Sequence, residues 1–434
     1  MQEKIKNSFD KALDVNYITL LNGIAVGIFA GLSAILFRAA LMKSSDLLHM
    51  ALSFGQKHPI FIPIWFIILL IFALLTTLLL KWEPFISGSG IPQVEGELYG
   101  YFEQKWWRVL FAKFLGGILT IGSGLALGRE GPSVQLGAMA GKGISKIGKS
   151  SDDESRLLIT CGASAGLAAA FNAPLAGVIF AIEELHKKFS LKLLLSSMAS
   201  CFSAAFLSRL AFGQQPVFNF QDISVIELKH YWIVVILGIV LGLFGKLYQI
   251  CVPFMQGIYD KIQLKFIKTA IPFVLAGIIG FICPMLLGGG NDIIASISAK
   301  TALSSLIILL IARFVFSILS FCSGVPGGIF LPLLTLGAIC GAATGNVFDM
   351  LGLGFGTDNY IMLGMAGYFS AVVRSPITGI LLICEMTGSA ENLLPLMLIS
   401  LMAYVTAGLL KSEPIYDTLL NRMLSQSNKK AAEN

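Results

Sequence analysis

Charged side chains are scarce in this chain, and their scarcity limits the class of protein. Of its 434 residues only 13% are charged, whereas 56% are hydrophobic. A typical soluble domain carries about 25% charged residues, so the composition excludes a string of ordinary soluble domains. Residues 59–80 are 22 in a row without a charge, which is enough for one bilayer crossing. Further apolar runs lie at 17–37, 107–127, 231–256, 269–291, 314–348 and 392–410. The sequence predicts an all-α, polytopic membrane protein.

Metal-ligand and disulfide patterns are also missing. The four histidines show no ligand spacing, and the seven cysteines lie singly in apolar segments without a CxxC pair. We interpret the cysteines as small packing residues and expect neither a metal nor a cofactor. The net charge of +6 lies largely in the terminal regions and loops. It therefore indicates membrane topology and lipid contact, and it argues against nucleic acid as a partner.

The two ends of the chain are polar and basic. Residues 1–16 predict a short cytoplasmic amphipathic helix on the membrane surface rather than a cleavable signal peptide. Residues 426–434 predict a polar tail, and we expect no soluble regulatory domain after residue 425. The positive-inside tendency places both termini on the cytoplasmic side, which requires an even number of crossings.

An acid, Glu130, stands between two glycines and directly before Gly131-Pro132 in an otherwise apolar region. This order predicts irregular backbone that enters a helix, because proline is tolerated in the first helical turn. A helix that begins inside a membrane directs its free amides and its positive dipole end at whatever lies there. A carboxylate at that end can compete with an anion for the same amides. The stretch predicts an anion pathway with a titratable gate.

An internal repeat becomes visible when the sequence is shifted by 200 residues. Residues 128–141 then align with residues 328–341, and six of the fourteen positions are identical. Gly88-Ser-Gly90 aligns with Gly288-Gly-Gly290 at the same shift. The chain is therefore predicted to contain two duplicated halves.

The repeat extends toward the end of each half, where Pro174–Glu183 aligns with Pro376–Glu385 at a shift of 202. We expect a first membrane repeat at 17–215, a linker at 216–230 and a second membrane repeat at 231–425. Duplicated halves with Gly/Pro-interrupted segments at matching positions are typical of transporters, in which broken helices form the binding site near the midplane. The repeat alone leaves open whether the halves run parallel or inverted.

Four motifs carry a family resemblance. They are Gly88-Ser-Gly-Ile-Pro92, Gly128-Arg-Glu-Gly-Pro132, Gly328-Ile-Phe-Leu-Pro332 and the segment 166–177. In this order and spacing, and up to Pro414-Ile-Tyr416, the chain resembles the CLC family of chloride channels and chloride/proton antiporters, in its bacterial form without CBS domains. The resemblance implies a homodimer in which each subunit has its own anion pathway, built from two inverted repeats.

The expected anion site follows from both chemistry and resemblance. Transfer of a bare anion into hydrocarbon costs on the order of tens of kcal/mol, but a fixed full cation would hinder its release. Helix N-termini supply about half a charge each, and hydroxyl groups add donors. The resemblance implies chloride binding at Ser89, Ile329, Phe330, Tyr416, Gly131 and Arg129. The plainer interpretations are a turn or N-cap role for Ser89 and an interfacial position for Tyr416.

Two glutamates are the predicted proton sites. The resemblance implies that Glu130 is the gate and the external proton site, and that Glu184 is the internal proton-transfer site. Channel-type members commonly carry an uncharged residue at the second place, so the acid favours exchange. The alternative for Glu130 is an ion pair with Arg129 or Lys113.

For Glu183 and Glu184 the alternative is a solvated helix end that faces His186, Lys187 and Lys188. Glu385 and Arg374 could be functional by position, although a structural ion pair or an interface position is the favoured interpretation.

Gly143–Ser150 matches the pattern of a phosphate-binding loop, but it follows a Gly/Ala helix instead of a strand, so we expect no nucleotide.

The sequence thus predicts a secondary active transporter and not an enzyme. It is expected to exchange chloride for protons as a homodimer in a bacterial inner or plasma membrane. By resemblance, serine at position 89 is the pattern of chloride-preferring members, whereas proline there accompanies nitrate preference. A passive voltage- or pH-gated chloride channel, and a non-transporting receptor or scaffold on the same fold, remain alternatives.

Overall fold

The computed structural model describes residues 17–220, 223–298 and 300–433. The predicted surface helix at 1–16 lies outside these residues. In the first half, the described residues form eight α-helices: α1 (Tyr17–Lys57), α2 (Ile62–Trp82), α3 (Ile91–Leu98), α4 (Trp106–Ile121), α5 (Glu130–Ile147), α6 (Asp152–Phe171), α7 (Pro174–Phe180) and α8 (Leu191–Phe212).

The second half continues with α9 (Tyr231–Asp260), α10 (Lys265–Ile282), α11 (Asn291–Ser296), α12 (Leu303–Cys322), α13 (Phe330–Met350), α14 (Thr357–Val373), α15 (Pro376–Thr387), α16 (Leu393–Leu409) and α17 (Ile415–Glu433). Helices α1–α8 match α9–α16 in order and in relative length. The structure therefore confirms a duplicated all-α fold, to which α17 is added. Most of the predicted tail at 426–434 continues α17 as far as Glu433.

Equivalent helix pairs pack closely in both halves. Helix α5 packs on α6 through Gly137 and Gly162, and a methyl group on Gly137 would lie 2.1 Å from the Gly162 carbonyl oxygen. Helix α13 packs on α14 in the same way, with 2.4 Å between such a methyl group on Gly337 and the Gly364 carbonyl oxygen. Such contacts between small residues stabilise helix packing in a membrane, where the lipid provides little hydrophobic driving force. Helices α7 and α15 pack against each other and thereby form a contact between the two halves.

Seven helices among the described residues are long and apolar enough to cross a membrane. They begin at Tyr17, Pro59, Leu191, Leu228, Lys265, Leu303 and Phe330. Helix α1 has 41 residues, about twice the length that one perpendicular crossing needs, so it fits a membrane only when strongly tilted or partly outside it. The apolar run at 314–348 is not one crossing. Its backbone breaks between α12 and α13, where Gly324 and Gly327 have positive φ angles of 79° and 159°.

The two halves run in opposite directions where they meet. Gly128 and Gly328 form an antiparallel bridge, in which each amide donates to the other's carbonyl oxygen at N–O distances of 2.7 and 2.8 Å. These glycines precede α5 and α13, the equivalent broken helices of the two halves. This contact, together with the repeat, gives the inverted-topology fold that the sequence left open.

Candidate functional site

The N-termini of α5 and α13 lie beside the Gly128–Gly328 bridge. Within the described residues, no side chain caps either helix. The first amides of both helices therefore lack the acceptors that a helix interior provides, and their partial positive charges lie close together. Such an arrangement can stabilise an anion without a full fixed cation.

Glycine is required at two positions beside this pair of helix ends. A methyl group on Gly128 would lie 2.2 Å from Oε2 of Glu130, and one on Gly131 would lie 2.5 Å from Oγ of Ser89. Both distances are far below van der Waals contact. The glycines thus allow the Glu130 carboxylate to fold back over Gly128, and they bring Ser89 against the first turn of α5.

Glu130 is completely buried at the start of α5. In the described part of the chain, neither carboxylate oxygen has a hydrogen-bond partner, and Nε of Arg129 lies 4.0 Å from Oε1. That distance is too long for a hydrogen bond but within ion-pair range, so the predicted pairing with Arg129 is present as a long contact. The predicted alternative of a Lys113 ion pair is wrong, because the Lys113 ammonium donates to the carbonyl oxygens of Ile86 at 2.9 Å and Gly88 at 2.7 Å.

Arg313 repeats the role of Lys113 in the second half. Its guanidinium donates to the carbonyl oxygens of Leu286 at 2.6 Å and Gly288 at 2.7 Å, and its side chain is fully buried. Lys113 therefore fixes the backbone that enters the Gly88–Gly90 break, and Arg313 fixes the backbone that enters the Gly288–Gly290 break. Arg313 was not among the predicted site residues, although a shift of 200 residues connects it to Lys113.

Phe330 occupies the place in α13 that Glu130 occupies in α5. It is buried, and its ring packs against Phe171 and Phe369 at centroid distances of 5.2 and 4.5 Å. Ile329, just before it, is also buried. Of the two equivalent helix ends, only the first carries an acid. The site is consequently asymmetric.

Tyr416 lies at the start of α17, which packs against α3, the helix that follows Ser89. The tyrosine is buried, and its hydroxyl has no hydrogen-bond partner among the described residues. A cavity of about 330 Å³ reaches Ser89 between the segment 87–89 and α17, whose Leu419 and Arg422 line the opposite wall. Ser89 can therefore be approached from the side on which α17 lies.

Glu184 lies on a π-helical turn at Ala181–His186 that continues α7. It is buried; Oε2 accepts a hydrogen bond from the Ser375 hydroxyl, and Oε1 has no partner in the ranges that the structure describes. The matching helix α15 runs without such a turn to Thr387. A π-helical turn inserts an extra residue into the helical repeat and is frequent at functional sites.

Glu183 and Glu385 cap each other's helices across the two halves. Glu183 accepts hydrogen bonds from the amides of Ile377 at 3.1 Å and Thr378 at 2.7 Å, at the start of α15. Glu385 accepts from the amides of Leu175 at 3.1 Å and Ala176 at 2.8 Å, at the start of α7. The solvated alternative for Glu183 is thus wrong. Glu385 has a structural role, as favoured, but by helix capping and not by an ion pair.

Arg374 also has a structural contact. Its guanidinium donates to the Tyr404 carbonyl oxygen and lies 3.8 Å from the centre of the Tyr404 ring.

The pattern at Gly143–Ser150 does not form a phosphate loop, because residues 143–147 continue α5 and α6 begins at Asp152. Among the described residues, no group of three His, Cys, Asp or Glu side chains is arranged to hold a metal ion.

Removal of the Glu183 carboxylate should destabilise the protein. Glu183→Ala leaves the first amides of α15 and the Thr378 hydroxyl without an acceptor, so we expect a loss of about 2 kcal/mol in the free energy of unfolding. Thermal unfolding in detergent measures the loss. Glu385→Ala should behave similarly. Exposed Glu391→Ala is the control, and an equal melting temperature for the 183 and 391 variants would refute the capping role.

The architecture defines a polytopic membrane protein with two inverted repeats whose broken helices meet at its centre. Sequence comparison agrees with it: the family described as voltage gated chloride channel matches residues 71–408. The H(+)/Cl(-) exchange transporter ClcA of Vibrio campbellii is 37% identical over 382 residues, which are 84% of this chain and 81% of the relative. ClcA of Vibrio cholerae serotype O1 is 36% identical over 443 residues, 98% of this chain and 93% of the relative.

A solved structure of a slow cyanobacterial Cl⁻/H⁺ antiporter superimposes with a TM-score of 0.90 at 31% identity. The match covers 94% of this chain and 99% of that one. This chain therefore belongs to the voltage-gated chloride channel, or CLC, family. The named relatives are transporters, in agreement with the prediction that the chain is not an enzyme.

Proposed function

We propose that the protein exchanges chloride for protons across the membrane. The observation that carries this proposal is a single buried carboxylate, Glu130, without a hydrogen-bond partner in the described chain, beside two uncapped helix N-termini. The names of the relatives, H(+)/Cl(-) exchange transporter and Cl⁻/H⁺ antiporter, support both transported ions. Glu130 is the gate and the external proton site in this account, and Glu184 is the internal proton site.

Chloride is held by partial charges in the proposed site. The hydroxyls of Ser89 and Tyr416 and the amides of Ile329 and Phe330 donate to the central ion. Gly131 brings the α5 amides to it, and Arg129 attracts it from the side of Glu130. The buried Tyr416 hydroxyl, which has the Ser89 side chain within reach, and the contact between Ser89 and Gly131 support this assignment.

Proton and anion are coupled through Glu130. The ionised carboxylate and chloride compete for the same helix amides, so a bound chloride favours the protonated form of Glu130. By linkage, a proton on Glu130 favours chloride binding to the same degree. Because the second helix end carries Phe330, Glu130 is the one titratable gate at the paired helix ends.

Glu184 delivers protons from the opposite side. Its buried carboxyl has one oxygen fixed by Ser375 and one oxygen without a partner in the described residues, which leaves that oxygen available for proton exchange. On the side of the membrane that Glu184 serves, chloride and protons thus enter by separate routes in this account. The anion passes Ser89, and the proton passes Glu184.

The assembly and orientation are part of the proposal. We place the protein in the plasma membrane as a homodimer with both termini on the cytoplasmic side. Helices α8 and α16 expose large apolar side chains, including Phe202, Phe206, Met397 and Leu401, that a lipid or a second subunit can cover. Each subunit contains its own complete set of predicted chloride and proton residues.

A chloride gradient should drive protons uphill in liposomes that contain the purified protein. Vesicles loaded with high chloride and diluted into low chloride at equal pH should change their internal pH, and a proton ionophore should collapse the change. A channel would release chloride without this pH change. A receptor or scaffold would release no chloride.

Ser89→Pro should raise the preference for nitrate relative to chloride. The substitution removes one hydroxyl donor, and loss of a hydrogen bond to a charged group weakens binding by about 1–3 kcal/mol, more for the compact chloride ion than for nitrate. We expect a selectivity change of about fivefold in competitive anion flux. Ser87→Ala is the matched control, because the Ser87 hydroxyl donates to the Gly324 carbonyl oxygen. An unaltered anion order would exclude Ser89 as a ligand.

A further inference from the structure

Lys187 connects the three elements that carry the proposed chloride and proton groups. It follows the π-helical turn with Glu184, and its own φ of 53° turns the chain out of that helix. Its ammonium donates to Oε1 of Glu95 at 2.9 Å and to Oδ1 of Asp417. Glu95 belongs to α3, which begins two residues after Ser89, and Asp417 is adjacent to Tyr416.

We propose that Lys187 is a latch: it holds the constriction between Ser89 and Tyr416 closed and links its opening to the Glu184 segment. This inference rests on the proposed function, because it assumes that chloride passes between the two hydroxyls. Lys187 is a positioning residue that acts through α3 and α17. Its single ammonium restrains both α3, which follows Ser89, and α17, which carries Tyr416.

Helix α17 is suited to move because few of its contacts are buried. Among residues 415–428, whose side chains the structure describes, the buried ones lie in the first turns, at Ile415, Tyr416, Leu419 and Leu420, whereas residues 425–428 are exposed. Two sets of ionic contacts hold the helix from outside. Asp417 binds Lys187, and Arg422 binds Asp260 farther along the helix.

The three latch groups differ in exposure, which decides how the latch can open. The Glu95 side chain is only 2% exposed, whereas those of Lys187 and Asp417 are 37% and 32% exposed. Glu95 therefore needs its cation, since an unpaired buried charge is strongly unfavourable. Asp417 can separate into water at much lower cost. Of the two ion pairs, the one between Lys187 and Asp417 is therefore the easier to break. Opening of the constriction breaks this pair and moves α17 with Tyr416, while Glu95 keeps its pair with Lys187.

Asp417→Asn tests the latch in reconstituted full-length protein. Loss of one partly exposed ion pair should raise chloride turnover about threefold. The number of protons moved per chloride should fall, because the constriction then opens in more cycles without proton transfer. Asp417→Glu, which retains the charge, should restore both values. Glu413→Gln is the matched control, because it makes the same charge change at an exposed position just before α17.

Lys187→Gln tests the latch from the other side. It removes the cation from both carboxylates, so we expect a larger increase in chloride turnover than for Asp417→Asn, with Lys188→Gln as its control. If Lys187→Gln does not fold, because it leaves the buried Glu95 without its cation, Asp417→Asn and its rescue by Asp417→Glu decide the question. A turnover and a stoichiometry equal to those of the controls, or a fall in turnover at constant stoichiometry, would overturn the latch.

The outcome is separable from that of the proposed function. If the wild type moves chloride without protons, the exchange proposal fails, but the ratio of variant to wild-type chloride turnover still tests the latch. If the wild type exchanges both ions and the ratio is one, the exchange proposal stands and the latch fails.

Discussion

Glu130→Gln should abolish proton movement while chloride continues to flow. The glutamine has the shape of the protonated glutamate, so it does not compete with chloride for the amides of α5 and α13. It also lacks the group that carries the proton, and loss of a positioned proton-transfer group reduces its step at least about 100-fold. Chloride flux should become nearly independent of pH. Parallel recordings of chloride release and proton uptake by liposomes measure both effects.

Glu385→Gln provides the matched control for this variant. Glu385 is also a membrane-embedded acid of the repeat, but its two oxygens are occupied by the amides of Leu175 and Ala176. We expect this control to be less stable and still coupled. Proton pumping retained by Glu130→Gln would remove Glu130 as the gate and proton carrier.

Glu184→Gln should also stop proton movement, but by a different route. In the proposed pathway chloride passes Ser89 and does not need the Glu184 carboxyl, so the anion flux should persist at a rate within about tenfold of the wild type, while proton movement falls at least about 100-fold. Because Glu130 still titrates in this variant, chloride flux should remain dependent on external pH. That retained dependence distinguishes the variant from Glu130→Gln.

Glu183→Gln is the control for position 184. Glu183 is the adjacent acid, but it caps α15, and a glutamine oxygen can still accept from an amide there. The control should therefore keep proton coupling. Unchanged stoichiometry in Glu184→Gln would place the internal proton route elsewhere, whereas loss of coupling in both variants would indicate a general disturbance of the π-helical turn.

The broken helices could be predicted from the sequence because glycine and proline mark them locally. Pro132 and Pro332 stand in the first turns of α5 and α13, as predicted. Gly90 and Gly290 have φ angles of 98° and 104°, which glycine adopts without strain. The break before Pro332 also interrupts the apolar run at 314–348. Hydrophobicity alone does not detect such breaks, because it reports residue type and not backbone conformation.

The contacts between distant segments could not be predicted. Glu183 and Thr378 are 195 residues apart, and Lys187 and Asp417 are 230 residues apart. No periodic pattern connects such residues, so the sequence offers only a solvated position as the alternative for an acid such as Glu183 near a helix end. The Gly128–Gly328 bridge belongs to the same class. The repeat showed that the two glycines are equivalent, but only the fold shows that they touch.

For the proposed site, the sequence names candidate members, but it does not give their arrangement. Ser89, Glu130 and Gly131 lie together, and Phe330 takes the second helix end without an acid, as the aligned halves indicate. The position of Tyr416 depends on how α17 packs on α3, which is a tertiary property. The position of Glu184 likewise depends on the packing of α7 against α15.

The reversal potential of the reconstituted wild type tests chloride–proton exchange most directly. The measurement holds chloride constant on both sides and changes the pH on one side alone. An exchanger is expected to shift its reversal potential with this change, because protons contribute to its driving force. A reversal potential that stays at the chloride equilibrium value would contradict exchange and identify a passive chloride channel.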